Sequence, residues 1–127
     1  MDSDALGRLD REAYVNLATF RRSGAAVETP VWFAAHAGRL YVFTEATAGK
    51  VKRLRANPAI KLAPCGVRGR LKGDWLPGRA RCVEDAATVA AAYRALRKKY
   101  GLQMWLVDAF SRLAGRIDER AMLELEV

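Results

Sequence analysis

The sequence predicts a mainly β (α+β) domain, a small β-barrel with helices packed around it. Three observations carry that expectation. Short apolar runs of strand length recur through residues 14–83, separated by Gly, Pro and Asn. The helical stripe Val89, Tyr93, Leu96 and Tyr100 comes only late in the chain. The chain then closes on Ala121-Met122-Leu123-Glu124-Leu125-Glu126-Val127, whose alternation marks a strand returning to the sheet.

The acidic start, Met1-Asp2-Ser3-Asp4, is expected to fray. Tyr14 to Phe20 alternates as a half-buried strand does, and Ser23-Gly24 turns it into a second strand over Ala25 to His36. Pro30 argues for a strand edge or a bulge there, because it cannot donate to a ladder. Ala37-Gly38-Arg39 makes a tight hairpin into Leu40 to Thr44. A short helix follows, with Thr47 as its N-cap and Asn57-Pro58 as its stop. Ala59 to Cys65 is a fourth strand. Residues 66–78 hold four glycines and Trp75, a loop with a short strand around Arg70-Leu71, before a strand resumes over Gly78 to Val83. Asp85 caps a helix over Ala86 to Tyr100 that Gly101 ends. A second helix covers Gln103 to Leu113, with Leu106, Phe110 and Leu113 on one face. Asp118-Glu119 falls in a loop before the last strand. No repeat or long linker interrupts the chain, so residues 1–127 read as one domain.

The net charge of +8 and pI near 10.0 attract polyanions without choosing among them. No run reaches the ~18 apolar residues of a membrane span, and the start lacks a secretion signal, so a cytoplasmic protein is expected. Cys65 and Cys82 have no C-x-x-C spacing and read as buried thiols rather than as zinc ligands or a redox pair. No metal site is indicated. His36, the sole histidine, lies beside a hairpin turn without a neighbouring nucleophile and reads as a surface residue. Neither a G-x-G-x-x-G nor a P-loop is present. The sequence names no catalytic residue, so any redox or group chemistry is expected to come from a cofactor.

The most informative segment runs from Thr44 to Pro58. Val51 and Leu54 are spaced to face inward, which leaves Lys50, Lys52, Arg53 and Arg55 around the rest of a short helix. Cations in a first helical turn oppose the partial positive charge already there. An anion bound at that end, typically a phosphate, relieves the conflict. The plain alternative is a solvated basic face. The neighbouring aromatics Trp32, Phe33 and Tyr41 suit a ligand with a flat ring beyond its phosphate, or are simply core.

Strand, Thr44, loop, Lys50, helix, Leu54, Asn57-Pro58, strand: this run resembles the FMN-binding split barrels of the pyridoxamine 5′-phosphate oxidase type, and within them the coenzyme F420-dependent reductases. Val15-Asn16-Leu17-Ala18-Thr19, Thr29-Pro30-Val31-Trp32-Phe33, Gly38-Arg39-Leu40-Tyr41-Val42 and Gly78-Arg79-Ala80 match in order. The resemblance implies a split β-barrel with peripheral helices. It implies a homodimer with a cofactor site at its interface and a small-molecule substrate. Lys50 and Arg53 would hold the phosphate, with Thr44 near it. Thr29, Pro30, Val31 and Trp32 would flank the ring, and Lys52 and Arg55 would meet the acidic tail of F420. Trp75 would shape the substrate pocket, and Tyr41, Lys72 or water would supply a proton. The oxidases carry a serine where this chain has Ala48, an Arg-x-Val-Leu-Leu-Lys strand and a terminal Trp-x-Arg segment, all absent here. Oxidation of pyridoxine phosphate is therefore not implied. The expected activity is hydride transfer with F420, the alternative being an FMN-dependent oxidoreductase or flavin-binding protein. A basic nucleic-acid-binding module, with Arg68 to Arg81 around Trp75, ranks last.

Overall fold

The computed structural model describes residues 3–115 and 119–127. Its strands are β1 (Tyr14–Phe20), β2 (Ala26–Val31), β3 (Ala34–His36), β4 (Arg39–Glu45), β5 (Ala59–Cys65), β6 (Leu76–Val83) and β7 (Arg120–Glu126). The helices are α1 (Ser3–Asp10), α2 (Gly49–Ala56), α3 (Ala86–Tyr100) and α4 (Leu102–Leu113). The strands form one antiparallel sheet in the order β2-β1-β5-β6-β7-β4-β3. Its two end strands are consecutive in the chain and joined only by Trp32 and Phe33. The sheet must therefore curl until its ends meet, which makes a barrel split between β2 and β3. Asp118, expected in a loop, lies outside the described residues.

Side-chain alternation divides the barrel into two apolar layers. Val15, Leu17, Leu40, Val42, Ile60, Leu62, Leu123 and Leu125 fill the interior. On the outside, Ala34, Tyr41, Val83 and Met122 pack under α3 and α4 through Ala92, Leu96, Tyr100 and Met104. Helix α2 buries Val51 and Leu54, the latter within the interior layer. Gly78 is half-buried against the end of β7, since a Cβ there would lie 2.6 Å from the Glu126 carbonyl oxygen.

Two expectations change. The start of the chain is helical from Ser3, and Leu6 and Leu9, three apart, enter the core instead of fraying. Burying each contributes about 1.5–3 kcal/mol, enough to hold a short helix that is marginal alone. The second strand is two strands, because the Tyr100 hydroxyl accepts from the Phe33 N–H at 2.9 Å and withdraws that residue from the ladder. Pro30 does lie on an end strand, as its missing N–H requires.

The β3–β4 hairpin turns on Ala37 and Gly38, with φ of 50° and 79°. Two successive positive φ values match the twist of a hairpin but strain a residue bearing a Cβ. Replacing Ala37 with glycine is expected to stabilise the fold by up to about 1 kcal/mol, raising the melting midpoint by roughly 3–5 °C. Thermal unfolding followed by circular dichroism checks this, and a lowered midpoint contradicts it.

Candidate functional site

The loop after β4 is fixed at both ends before α2 begins. Ala46 N–H donates to the Glu119 carbonyl at 2.7 Å, and Ala48 N–H to that of Glu45 at 3.0 Å. This turn makes Ala48 the N-cap and displaces Thr47, so α2 starts with no side chain accepting from its first N–H groups. The first turn also contains no acidic residue. Asn57 is extended at the far end, as the following proline demands.

Because Val51 and Leu54 point inward, the four cations of α2 separate. Lys50 and Arg53, three apart, share one flank, while Arg55 occupies the other and Lys52 faces solvent. Arg55 lines a cleft of about 410 Å³ with Tyr93 and Arg120. The Arg53 guanidinium folds back over the first turn, into space that Gly49 leaves free. A Cβ at Gly49 would stand 2.8 Å from Arg53 Nη1. Arg53 Nε donates to Thr19 Oγ1 at 2.6 Å, which ties the helix to the end of β1. Burial, and then the charge of Arg53, lowers the pKa of Lys50 below its ordinary value. Two half-buried cations thus lie by an uncapped helix end with no carboxylate beside them in α2, an arrangement whose field favours negative charge.

Strand alternation sorts the residues expected around a ring. Thr29 and Val31 lie across from Leu17 and Val15 and share their inward face, while Pro30 lies across from Asn16 on the outward face. Thr44 is half-buried on the inward side of β4, opposite Ala121. Trp32 leaves the sheet and stacks on Tyr100, centroids 4.4 Å apart. Phe33 and Tyr41, offered as ring neighbours, are core residues, 0% and 3% exposed. Trp75 is half-buried just before β6.

The helices cover the outward residues Ala34 of β3, Tyr41 of β4, Val83 of β6 and Met122 of β7. On β2, β1 and β5 the outward positions Pro30, Asn16 and Ala63 lie in one row. The 66–71 loop reaches over them, and Asn16 Nδ2 donates to the Gly69 carbonyl at 3.2 Å. Asn16 Oδ1 is buried with no partner among the described residues. Such an acceptor costs about 1–3 kcal/mol unless a donor reaches it.

Sequence reasoning missed Thr19, Gly49 and the Asn16 acceptor as site residues. One signal existed: Thr19 is polar at an inward position of an otherwise apolar strand face. The proton-donor candidates are engaged elsewhere. Tyr41 donates to Glu124 at 2.8 Å, and burial, then that carboxylate, pushes its phenol up to about 12. Lys72 pairs with Glu12 at 2.7 Å. His36 is exposed at the β3–β4 hairpin. Cys65 and Cys82 are free, the first buried and the second half-buried. Among the described residues no His, Cys, Asp and Glu group is placed to hold a metal, and no helix is long and apolar enough to cross a membrane.

An antiparallel barrel split between β2 and β3, with an anion-ready turn on α2, defines the split-barrel class. A family model described as Pyridoxamine 5′-phosphate oxidase matches residues 2–127, and the chain belongs to that family. Solved structures agree on the fold. A conserved hypothetical protein of Mycobacterium tuberculosis superposes with a TM-score of 0.72 at 18% identity, over 98% of this chain and 78% of that one. HutZ, the heme storage protein from Vibrio cholerae, gives 0.71 at 14% identity, over 98% and 88%. A heme binding protein from Mycobacterium smegmatis gives 0.66 at 17% identity, over 100% and 52%. No curated protein matches the chain in sequence.

Proposed function

We propose that this chain binds coenzyme F420 through its phosphate at the first turn of α2 and acts as an F420-dependent oxidoreductase on a small organic substrate. The observation carrying the reading is the pairing of Lys50 and Arg53 over an uncapped, acid-free helix end. The bound deazaflavin would supply the hydride chemistry, and the protein would hold, orient and shield it. In this reading Lys50 and Arg53 bind the phosphate and Thr44 hydrogen-bonds beside it. The exposed Lys52 and Arg55 meet the acidic tail. The outward row at Pro30 and Asn16 faces the ring, and the orphaned Asn16 acceptor suits a ring imide N–H. Backbone groups along the free edge of β2 and a second subunit would complete the pocket, with Trp75 toward the substrate end.

FMN is the second reading. The observation favouring it is the position of Arg55, on the flank away from Lys50 and Arg53, where it is poorly placed to continue a path from the phosphate. The heme named for two similar folds belongs to those proteins, and a Soret band on adding hemin distinguishes that case. Equilibrium titration of the apo protein with F420 and with FMN decides between the main readings. Lys50→Ala removes a charge-assisted contact worth about 1–3 kcal/mol, so cofactor affinity is expected to fall roughly 5- to 150-fold. An unchanged titration curve removes Lys50 from the site.

The lowered pKa of Lys50 adds a pH signature. The folded apo protein holds this proton less tightly than the unfolded chain. The penalty is full below the lowered folded pKa and fades as pH rises toward the ordinary lysine value of 10.5. A bound phosphate favours the protonated form and offsets the penalty. Phosphate is therefore expected to raise the melting midpoint more at pH 7 than near pH 10, and Lys50→Ala to flatten that difference.

A further inference from the structure

Helix α4 presents an apolar stripe to solvent. Leu102, Trp105, Leu106, Phe110 and Leu113 are 71%, 63%, 53%, 70% and 89% exposed, with Ala109 between them. The buried face of the same helix carries Met104 and Asp108. Asp108 is drawn in by Arg120, which leaves the face of Leu106, Phe110 and Leu113 outside. Two aromatics and three leucines so exposed offer on the order of 600 Å² of apolar surface, the upper end for a lone monomer.

We propose that this face pairs with the same face of a second copy, the two α4 helices running antiparallel about a two-fold axis between Val107 and Asp108. The stripe is self-complementary in that register. Leu102 falls opposite the partner's Leu113, and Leu106 opposite the partner's Ala109. A large residue thus meets a small one beside the axis, while Trp105 and Phe110, on opposite flanks of the stripe, cover the two edges of the seam. Leu102, Leu106, Ala109 and Leu113 are spaced four, three and four apart, the seam of a paired helix. Arg112 falls opposite the partner's Gln103, so no like charges meet. An isologous contact needs this kind of symmetry, and a patch that merely faces a lipid surface does not. The pair would bury roughly 1,200 Å² in total, the size at which specific interfaces begin.

Helix α4 lies on the helix-covered side of the barrel, whereas the proposed cofactor interface uses the outward face of β2, β1 and β5, beside the 66–71 loop. The pairing goes beyond that reading and does not depend on it. Light scattering after size exclusion, on the full chain at tens of micromolar, gives the test. Leu106→Glu is expected to halve the molar mass, from tetramer to dimer if the cofactor interface also forms, or from dimer to monomer if it does not. Leu102→Glu and Leu113→Lys should each halve it too. The double variant should restore it, because each introduced carboxylate then faces an introduced ammonium across the axis. All three positions are exposed, and circular dichroism confirms folding. An unchanged mass for Leu106→Glu overturns the proposal, as does failure of the double variant to recover. Flotation of the wild type with phosphatidylserine–phosphatidylcholine vesicles, without any mass change in the variants, overturns it in favour of a lipid surface. Cofactor titrations on the same samples report separately on the proposed function.

Discussion

Asp108→Ala is expected to cost about 3–5 kcal/mol, because it strands a buried guanidinium. Asp108 Oδ1 accepts from Arg120 Nη1 at 2.7 Å, and both side chains are under 10% exposed. Arg97 Nε donates to Oδ2 at 3.3 Å, and Arg120 also donates to Ser111 Oγ at 2.8 Å. The Arg120 guanidinium lies 4.7 Å from the centre of the Phe43 ring. The pair fastens α4 to the start of β7, and losing Asp108 leaves the Arg120 guanidinium buried with no opposite charge beside it. Chemical denaturation of Asp108→Ala measures the loss, and a change below about 1 kcal/mol contradicts the argument. Two controls sharpen it. Lys72→Ala removes a more exposed pair and should cost no more than about 1 kcal/mol. Asp108→Leu combined with Arg120→Met removes both charges and should recover most of the loss.

Tyr100→Phe is the second large effect, at about 2–3 kcal/mol. The Tyr100 hydroxyl accepts from Phe33 N–H at 2.9 Å and can donate to the Ala13 carbonyl at 2.7 Å. Phe33 is fully buried in the two-residue link where the sheet ends meet. Without the hydroxyl its N–H has no acceptor. Denaturant unfolding gives the magnitude, and hydrogen exchange at the Phe33 amide should quicken in step. There is also a pH signature. Burial raises the phenol of Tyr100 above its ordinary value of 10.0. Above that pH the unfolded chain loses a proton that the fold retains, so stability is full below pH 10 and falls beyond it. Tyr41, pushed up to about 12, contributes in the same direction. Tyr100→Phe should therefore show a shallower alkaline decline than the wild type. An equal slope contradicts the assignment.

Elements with strong local signals were legible from the residues alone. The bounds of β1, β5 and α3 follow from alternation, from Pro58 and from the pairing of Asp85 with Gly101, all of which act within a few residues. The break at Trp32-Phe33 was not legible, since both residues favour strands and what separates them is a hydroxyl from Tyr100. The cap of α2 was misplaced because a backbone bond from Ala48 to Glu45 sets the turn, leaving Thr47 outside it. The stripe on α4 was visible, but its outward direction depends on Arg120. In the candidate site, Lys50 and Arg53 were singled out by the resemblance, and the residues alone gave only four cations around the helix. The separation of Arg55 followed only from which face of α2 is buried. Thr19 and Asn16 acquire roles through partners far away in sequence, Arg53 and Gly69, which periodicity cannot supply.

The central claim is that Lys50 and Arg53 grip a phosphate. It is tested most directly by comparing the deazaflavin alcohol with its phosphate monoester, both without the acidic tail, titrated by fluorescence against the wild type and Lys50→Ala at fixed salt. The wild type should prefer the phosphorylated molecule, and Lys50→Ala should lose most of that preference while binding the alcohol unchanged. Equal affinities of the wild type for the two molecules, or a preference untouched by the substitution, would contradict it.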